Sequence, residues 1–254
     1  MATYKKKGFK PKNKEEEIQL NEQESTTAEV FSSLDEGASR SEEWVSNNQN
    51  YILGVIGIVA VAVLGYLAYF QFVQKPKEAS AANEMLYPQQ YFDMALEGSV
   101  EKDSLFTLAL DGAEGKYGFL DIIEEYNGTK AANLAKYSAG MAYLNMQKYD
   151  EAIKYLEDFS SPDMILGALA KGGLGDAFLQ LNQPADALGY YESAIAHSTN
   201  DFTTPKFLYK AGVTAMELGE NDKALGYFNR IKEEFGTSNE ARNIDAFIGK
   251  AKTN

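Results

Sequence analysis

The sequence predicts an all-α protein: one membrane-crossing helix followed by a solenoid of helical hairpins that a terminal helix caps. Three observations predict it. No charged residue occurs between Glu43 and Lys75. From Ala131 onward, small and aromatic residues recur with a period near 35. The last segment, Asn239 to Lys252, carries Ala241, Ile244, Phe247 and Ile248 on one helical face.

Residues 1–48 are dominated by Lys, Glu, Gln, Asn, Ser and Thr. So few large apolar side chains cannot offset the entropy of ordering, and a disordered polar tail is expected. Within it, Val30, Phe31 and Leu34 have helical spacing and predict a short amphipathic turn between Thr27 and Arg40.

The run Tyr51 to Phe72 is expected to be the core of a transmembrane helix over 49–74. At roughly 1.5 Å per residue it reaches about 33 Å, against a hydrocarbon thickness of about 30 Å. Trp44 and Tyr51 before it, and Tyr66, Tyr69 and Phe70 near its far end, suit the headgroup level. Ala79-Ser80-Ala81 has the form of a signal-peptidase site, but the charged Lys75 to Glu78 separates it from the apolar run, so an uncleaved anchor is the better reading. On the span, Gly54, Gly57, Val61, Gly65 and Ala68 fall on one side of the helix. Such a smooth stripe is a candidate contact with another transmembrane helix and with membrane lipid.

Pro76 is expected to break the helix, with a new one from about Ala79 to Leu96. Short helices follow at about Asp103 to Leu110 and Tyr117 to Tyr126, split by a turn at Gly112 and Gly115.

Three segments then align. The first carries Gly140, Tyr143, Tyr149, Ala152 and Leu156; the second Gly175, Phe178, Pro184, Ala187, Tyr191 and Ala194; the third Gly212, Ala215, Gly219, Ala224, Phe228 and Ile231. This resembles the tetratricopeptide repeat, a helix-turn-helix unit of 34 residues with small residues at positions 8 and 20 and large ones at 11 and 24. The small residues let paired helices approach, and the large ones fill the space between hairpins. Repeats are expected at about 133–166, 168–202 and 205–236, with the capping helix at 238–252 and Ser238 as its N-cap. The whole repeat domain spans 79–252.

Composition excludes several classes of function. The net charge of −13 divides into +6 over residues 1–14, −9 over 15–50 and −10 over the rest. An acidic domain cannot neutralise phosphates, so no nucleic acid is expected as a partner. Without cysteine there is no disulfide, thiolate metal site or cysteine nucleophile. His197, the single histidine, is expected at a helix end, which leaves no triad and no histidine metal cluster. Lys171-Gly172-Gly173-Leu174-Gly175 lacks the Gly-Lys-Ser/Thr ending of a phosphate loop and reads as close helix packing. No cofactor, metal or catalytic residue is expected.

A binding surface remains. The first helix of each hairpin should line the concave face, presenting Tyr137, Met141 and Leu144, then Leu169, Asp176, Leu179 and Gln180, then Tyr209, Val213 and Met216. This lining suits an apolar segment or partner helix, unless the helix at 79–96 fills the groove itself.

The order of parts, including VFSSLDEGASRSEEWVSNNQNYILGVIG leading into the span, resembles the single-pass tetratricopeptide membrane proteins of Bacteroidetes that are similar to YfgM, the ancillary subunit of the SecYEG translocon. The resemblance implies an inner-membrane protein with a cytoplasmic N-terminus and periplasmic repeats. It also implies a chaperone-like role in protein secretion, beside a PpiD-like membrane-anchored prolyl isomerase and unfolded secretory polypeptides. Local charge points the other way, with Arg40 alone before the span and Lys75 and Lys77 just after it. The alternatives are a structural scaffold for envelope or cell-division complexes and a cytosol-facing assembly platform.

Overall fold

The computed structural model describes residues 43–98 and 101–253. The basic N-terminal segment, most of the expected polar tail and the amphipathic turn at Thr27 to Arg40 lie outside them. Among the described residues every regular element is helical, beyond a lone bridge between Ala113 and Lys116. Residues 43–47, read above as tail, are helical. The reason is local: the Asn48 side chain and backbone N–H both donate to the Trp44 carbonyl, at 2.8 and 3.0 Å.

The chain forms two units, 1–69 and 70–254. The described part of the first is mainly helix α1, Gln49–Tyr69. None of its residues is buried, and it is long and apolar enough to cross a membrane.

The second unit opens with a π-helical turn, Phe70–Gln74, then α2, Lys75–Glu84, and α3, Leu86–Leu96. Pro76 does not stop the helix as expected. It lies in the first turn of α2, after a widened π turn that takes up the hydrogen bond a proline ring cannot donate. Helices α4, Lys102–Asp111, and α5, Phe119–Glu125, complete the lead-in.

Three hairpins follow: α6 Lys130–Asn145 with α7 Tyr149–Glu157, α8 Leu166–Gln180 with α9 Pro184–His197, and α10 Thr204–Glu217 with α11 Asn221–Glu234. A 3₁₀ turn, Glu240–Asn243, leads to α12, Ile244–Thr253. Ser238 accepts the Ala241 N–H at 3.2 Å, so it serves this turn and not α12 directly.

Each hairpin closes by the same backbone turn. The N–H groups of Gln147 and Lys148 bond the carbonyls of Leu144 and Tyr143; Asn182 and Gln183 bond Leu179 and Phe178; Gly219 and Glu220 bond Met216 and Ala215. This paired pattern satisfies the orphan carbonyls of a helix end and needs a left-handed residue. Gln147 at φ 61°, Asn182 at 60° and Gly219 at 76° supply it.

The interior is organised by one small-to-large pairing per repeat. A Cβ on Gly140, Gly175 or Gly212 would come within 3.0 Å of Leu156, Tyr191 or Phe228 respectively, the residue 16 positions later in the facing helix. The large side chain at position 24 therefore seats on the glycine of its own hairpin, where the sequence reading placed it between hairpins. Ala152, Ala187 and Ala224 are fully buried beside these pairs. Gly172 works between hairpins, since a Cβ there would overlap the Phe207 ring. The Gly-rich run of α8 is thus a packing surface.

Apolar side chains gather into two large cores. One joins Ala81, Met85 and Phe92 to Phe106, Phe119, Ile122 and the inner face of α6; the other runs from Ala168 to Ala251. Between them lies a small cluster of four buried residues, Leu156, Phe159, Ala170 and Leu174.

Candidate protein-binding groove

Three first helices, α6, α8 and α10, set side by side, leave an open cleft of about 570 Å³. Leu144, Leu179 and Val213 give it apolar walls, and Tyr149, Gln180 and Tyr209 stand around them. Its charged feature is Asp176. One oxygen of this carboxylate accepts the Tyr191 hydroxyl at 2.7 Å and the Lys210 ammonium from the next hairpin. Lys210 also lies over the Tyr191 ring, 5.8 Å from its centre. The cleft thus combines apolar contact with one internally balanced ion pair.

Six of the ten residues expected on the concave face line this cleft: Leu144, Asp176, Leu179, Gln180, Tyr209 and Val213. The other four pack elsewhere. Tyr137 lies against Phe159 at 5.3 Å between ring centres. Met141 packs against both the N-terminal core and the small cluster, while Leu169 and Met216 pack on the C-terminal core. Tyr209 is shared, because its ring also meets Phe247 edge-on at 5.0 Å. Asn145, Gln147, Tyr149, Tyr191, Lys210 and Thr214 line the cleft without having been expected there. Lys210 had one available signal, since it stands one repeat length after Asp176.

Helix 79–96 does not occupy the groove. Its buried residues Ala81, Met85, Phe92 and Ala95 belong to the N-terminal core, and none of its side chains lines the cleft.

Adjacent hairpins are tied by a repeated polar link. The Tyr190 hydroxyl donates to Glu157 at 2.9 Å, and Tyr227 donates to Glu192, the equivalent residue one repeat on. Burial pushes the Tyr227 hydroxyl well above its ordinary value, and the Glu192 carboxylate adds to this. Burial works against ionised Glu192, but hydrogen bonds from Lys223 and Tyr227 outweigh it and hold that carboxyl below its usual range. His197 ends α9 as expected, with Nε2 2.9 Å from the Asp163 carbonyl oxygen. Among the described residues no three His, Cys, Asp or Glu side chains are placed to share a metal ion.

On α1, a Cβ at Gly54, Gly57 or Gly65 would meet nothing within 4 Å, and Val61 and Ala68 are exposed. The stripe expected from the sequence is uncovered.

The profile of the tetratricopeptide repeat family matches residues 137–201 and 173–239. This part of the chain is an array of tetratricopeptide repeats. The two matches overlap, as they should for a periodic segment, and together they run from the middle of α6 to just past α11. Comparison with curated proteins finds no match. Repeats of this kind are protein-protein interaction modules, which is what an open cleft between first helices provides.

Proposed function

We propose that this protein is a membrane-anchored protein-binding module, in which residues 49–74 cross the bilayer and the repeat domain over 79–252 grips an apolar segment of a protein partner. The observation that carries this reading is the cleft between α6, α8 and α10. Leu144, Leu179 and Val213 offer a helix or extended segment apolar contact, and the Asp176–Lys210 pair fixes polar groups beside them. The work of such a site is binding, not catalysis.

The layout of tail, span and repeats supports a more specific reading by its resemblance to YfgM-like proteins. In it, the repeats face the periplasm, the protein sits beside the SecYEG translocon and a PpiD-like prolyl isomerase, and the cleft meets unfolded secretory polypeptides. The uncovered side of α1, with Gly54, Gly57 and Gly65, would approach a partner's transmembrane helix through close backbone contact. Purification from native membranes in mild detergent, with quantitative identification of what co-purifies, tests this. Translocon and isomerase are expected; division or cell-wall proteins would replace the reading with that of an envelope scaffold. The double variant Gly57→Leu, Gly65→Leu should insert normally and recover fewer partners. Full recovery would move the association to the repeats.

A further inference from the structure

We propose that one rim of the repeat array rests on the lipid surface, with Met164 and Phe202 dipping into the headgroup layer. The proposal builds on the anchoring reading above and adds which edge of the domain meets lipid.

The rim begins where the second unit begins. Phe72 and Val73 are exposed apolar residues that follow the candidate span in the chain. Immediately after them, Gln74 Nε2 donates to the Gly128 carbonyl at 3.2 Å and Lys77 Nζ to the Asn127 carbonyl at 2.9 Å. The Glu78 carboxylate accepts the Lys130 N–H at 2.9 Å. These bonds place the loop that opens α6 beside the residues that leave the span.

From that loop a line of hydrogen bonds runs along the starts of the next two first helices. Asn133 Nδ2, in the first turn of α6, donates to the Ser160 carbonyl at 2.8 Å. Ser198 Oγ donates to the Met164 carbonyl at 2.7 Å, bridging the loops that open α8 and α10. Asn200 Oδ1 then accepts the Phe202 N–H at 2.9 Å. The three loops form one edge, and its first member adjoins residues 74–78, which follow the span in the chain.

On that edge Met164 and Phe202 occupy matching positions, each directly after an aspartate, and are 60% and 64% exposed. Both stand on loops already fixed by hydrogen bonds, so holding them in lipid costs little further ordering. The Asp163 carboxylate does not stand between Met164 and the bilayer, because it turns back to accept the Ile165 and Leu166 N–H groups at 2.9 and 2.8 Å. Two such side chains are weak anchors alone, but on a chain that is already tethered the local lipid concentration is high, and weak contacts suffice. Lys77, whose ammonium donates to the Asn127 carbonyl, is a cation beside the start of this edge.

The chain has no cysteine, so single-cysteine variants take one label each. Full-length protein carrying an NBD label at Met164→Cys or Phe202→Cys is reconstituted into phosphatidylcholine vesicles containing doxyl-labelled lipid. Glu217→Cys, exposed at the far end of α10, is the reference, and Ile58→Cys in α1 reports the span. Several-fold stronger quenching at 164 and 202 than at 217 is expected. Quenching at 58 with 164 and 202 no different from 217 overturns the rim contact and leaves the anchor standing. No quenching at 58 overturns the anchor, and the rim contact with it.

Discussion

Tyr191 donates its hydroxyl to Asp176 at 2.7 Å, and Lys210 of the following hairpin closes on the same carboxylate oxygen. One buried phenol therefore links the packing of its own hairpin, through Gly175, to the charged base of the cleft. Removing the hydroxyl in Tyr191→Phe should cost about 1.5–3 kcal/mol, the range for hydrogen bonds to charged groups, read as a lower urea midpoint with the slope unchanged.

The same residue sets an alkaline limit. Burial, reinforced by the charge of Asp176, holds the Tyr191 hydroxyl far above its ordinary value of 10.0, and Tyr227 is raised in the same direction. Above that value the unfolded chain releases protons that the folded chain keeps. This stabilisation is complete below about pH 10 and is lost as pH rises through the folded values. Tyrosinate absorbance from these two residues should appear together with loss of helicity in an alkaline titration. Their ionisation while the helices remain intact would contradict the linkage.

Glycines of the first and second helices should respond in opposite directions. Gly172→Ala drives a methyl into the Phe207 ring and should destabilise by about 1–3 kcal/mol. Gly189 and Gly226 have open space around the Cβ position and ordinary helical φ, so alanine at each should stabilise by about 0.4–1 kcal/mol. Thermal melts of the three variants decide it, and a stabilised Gly172→Ala would mean that the Phe207 contact is not close.

Glu78 binds the first two N–H groups of α6, those of Lys130 and Ala131. A carboxylate at a helix N-terminus contributes roughly 0.5–2 kcal/mol through capping and the helix dipole. Glu78→Gln should leave the overall fold intact and speed amide exchange in the first turn of α6. Unchanged exchange there would show that Thr129, which accepts the Ala132 N–H at 3.0 Å, caps the helix alone.

Partner binding is best tested with residues that line the cleft and leave the cores untouched. Leu144→Glu and Val213→Glu put charge on the apolar walls and should lower partner recovery several-fold with helicity unchanged. Met141→Glu is a poor probe, because Met141 packs in two clusters and its loss would disturb the fold. Full recovery with both wall variants would place the site elsewhere.

The sequence exposed the hairpins because their packing is periodic. Gly140 with Leu156, Gly175 with Tyr191 and Gly212 with Phe228 keep a constant separation, so a pattern search finds them before any coordinates do. The hairpin turns were less legible, since Gln147 and Asn182 carry a left-handed conformation that only Gly219 advertises. Pro76 misled because a breaker rule takes no account of a π turn placed just before it. The groove was read in part. Leu144, Leu179 and Val213 line the cleft as expected, but Met141, Leu169 and Met216 stand on flanks of the same helices that pack against the apolar clusters. Which flank of a first helix gets covered depends on how repeats stack, and local spacing does not encode that.

Between the two large cores lies the cluster of four buried residues, Leu156, Phe159, Ala170 and Leu174, with Met141 and Tyr190 packed against it. A seam of four side chains has far less to lose than the masses on either side, so it yields first under bending. The cleft crosses that seam, with Leu144 on one bank and Leu179, Tyr209 and Val213 on the other. Within the repeat domain the seam is therefore the expected pivot, where the two banks of the cleft would adjust to segments of different girth before either core yields.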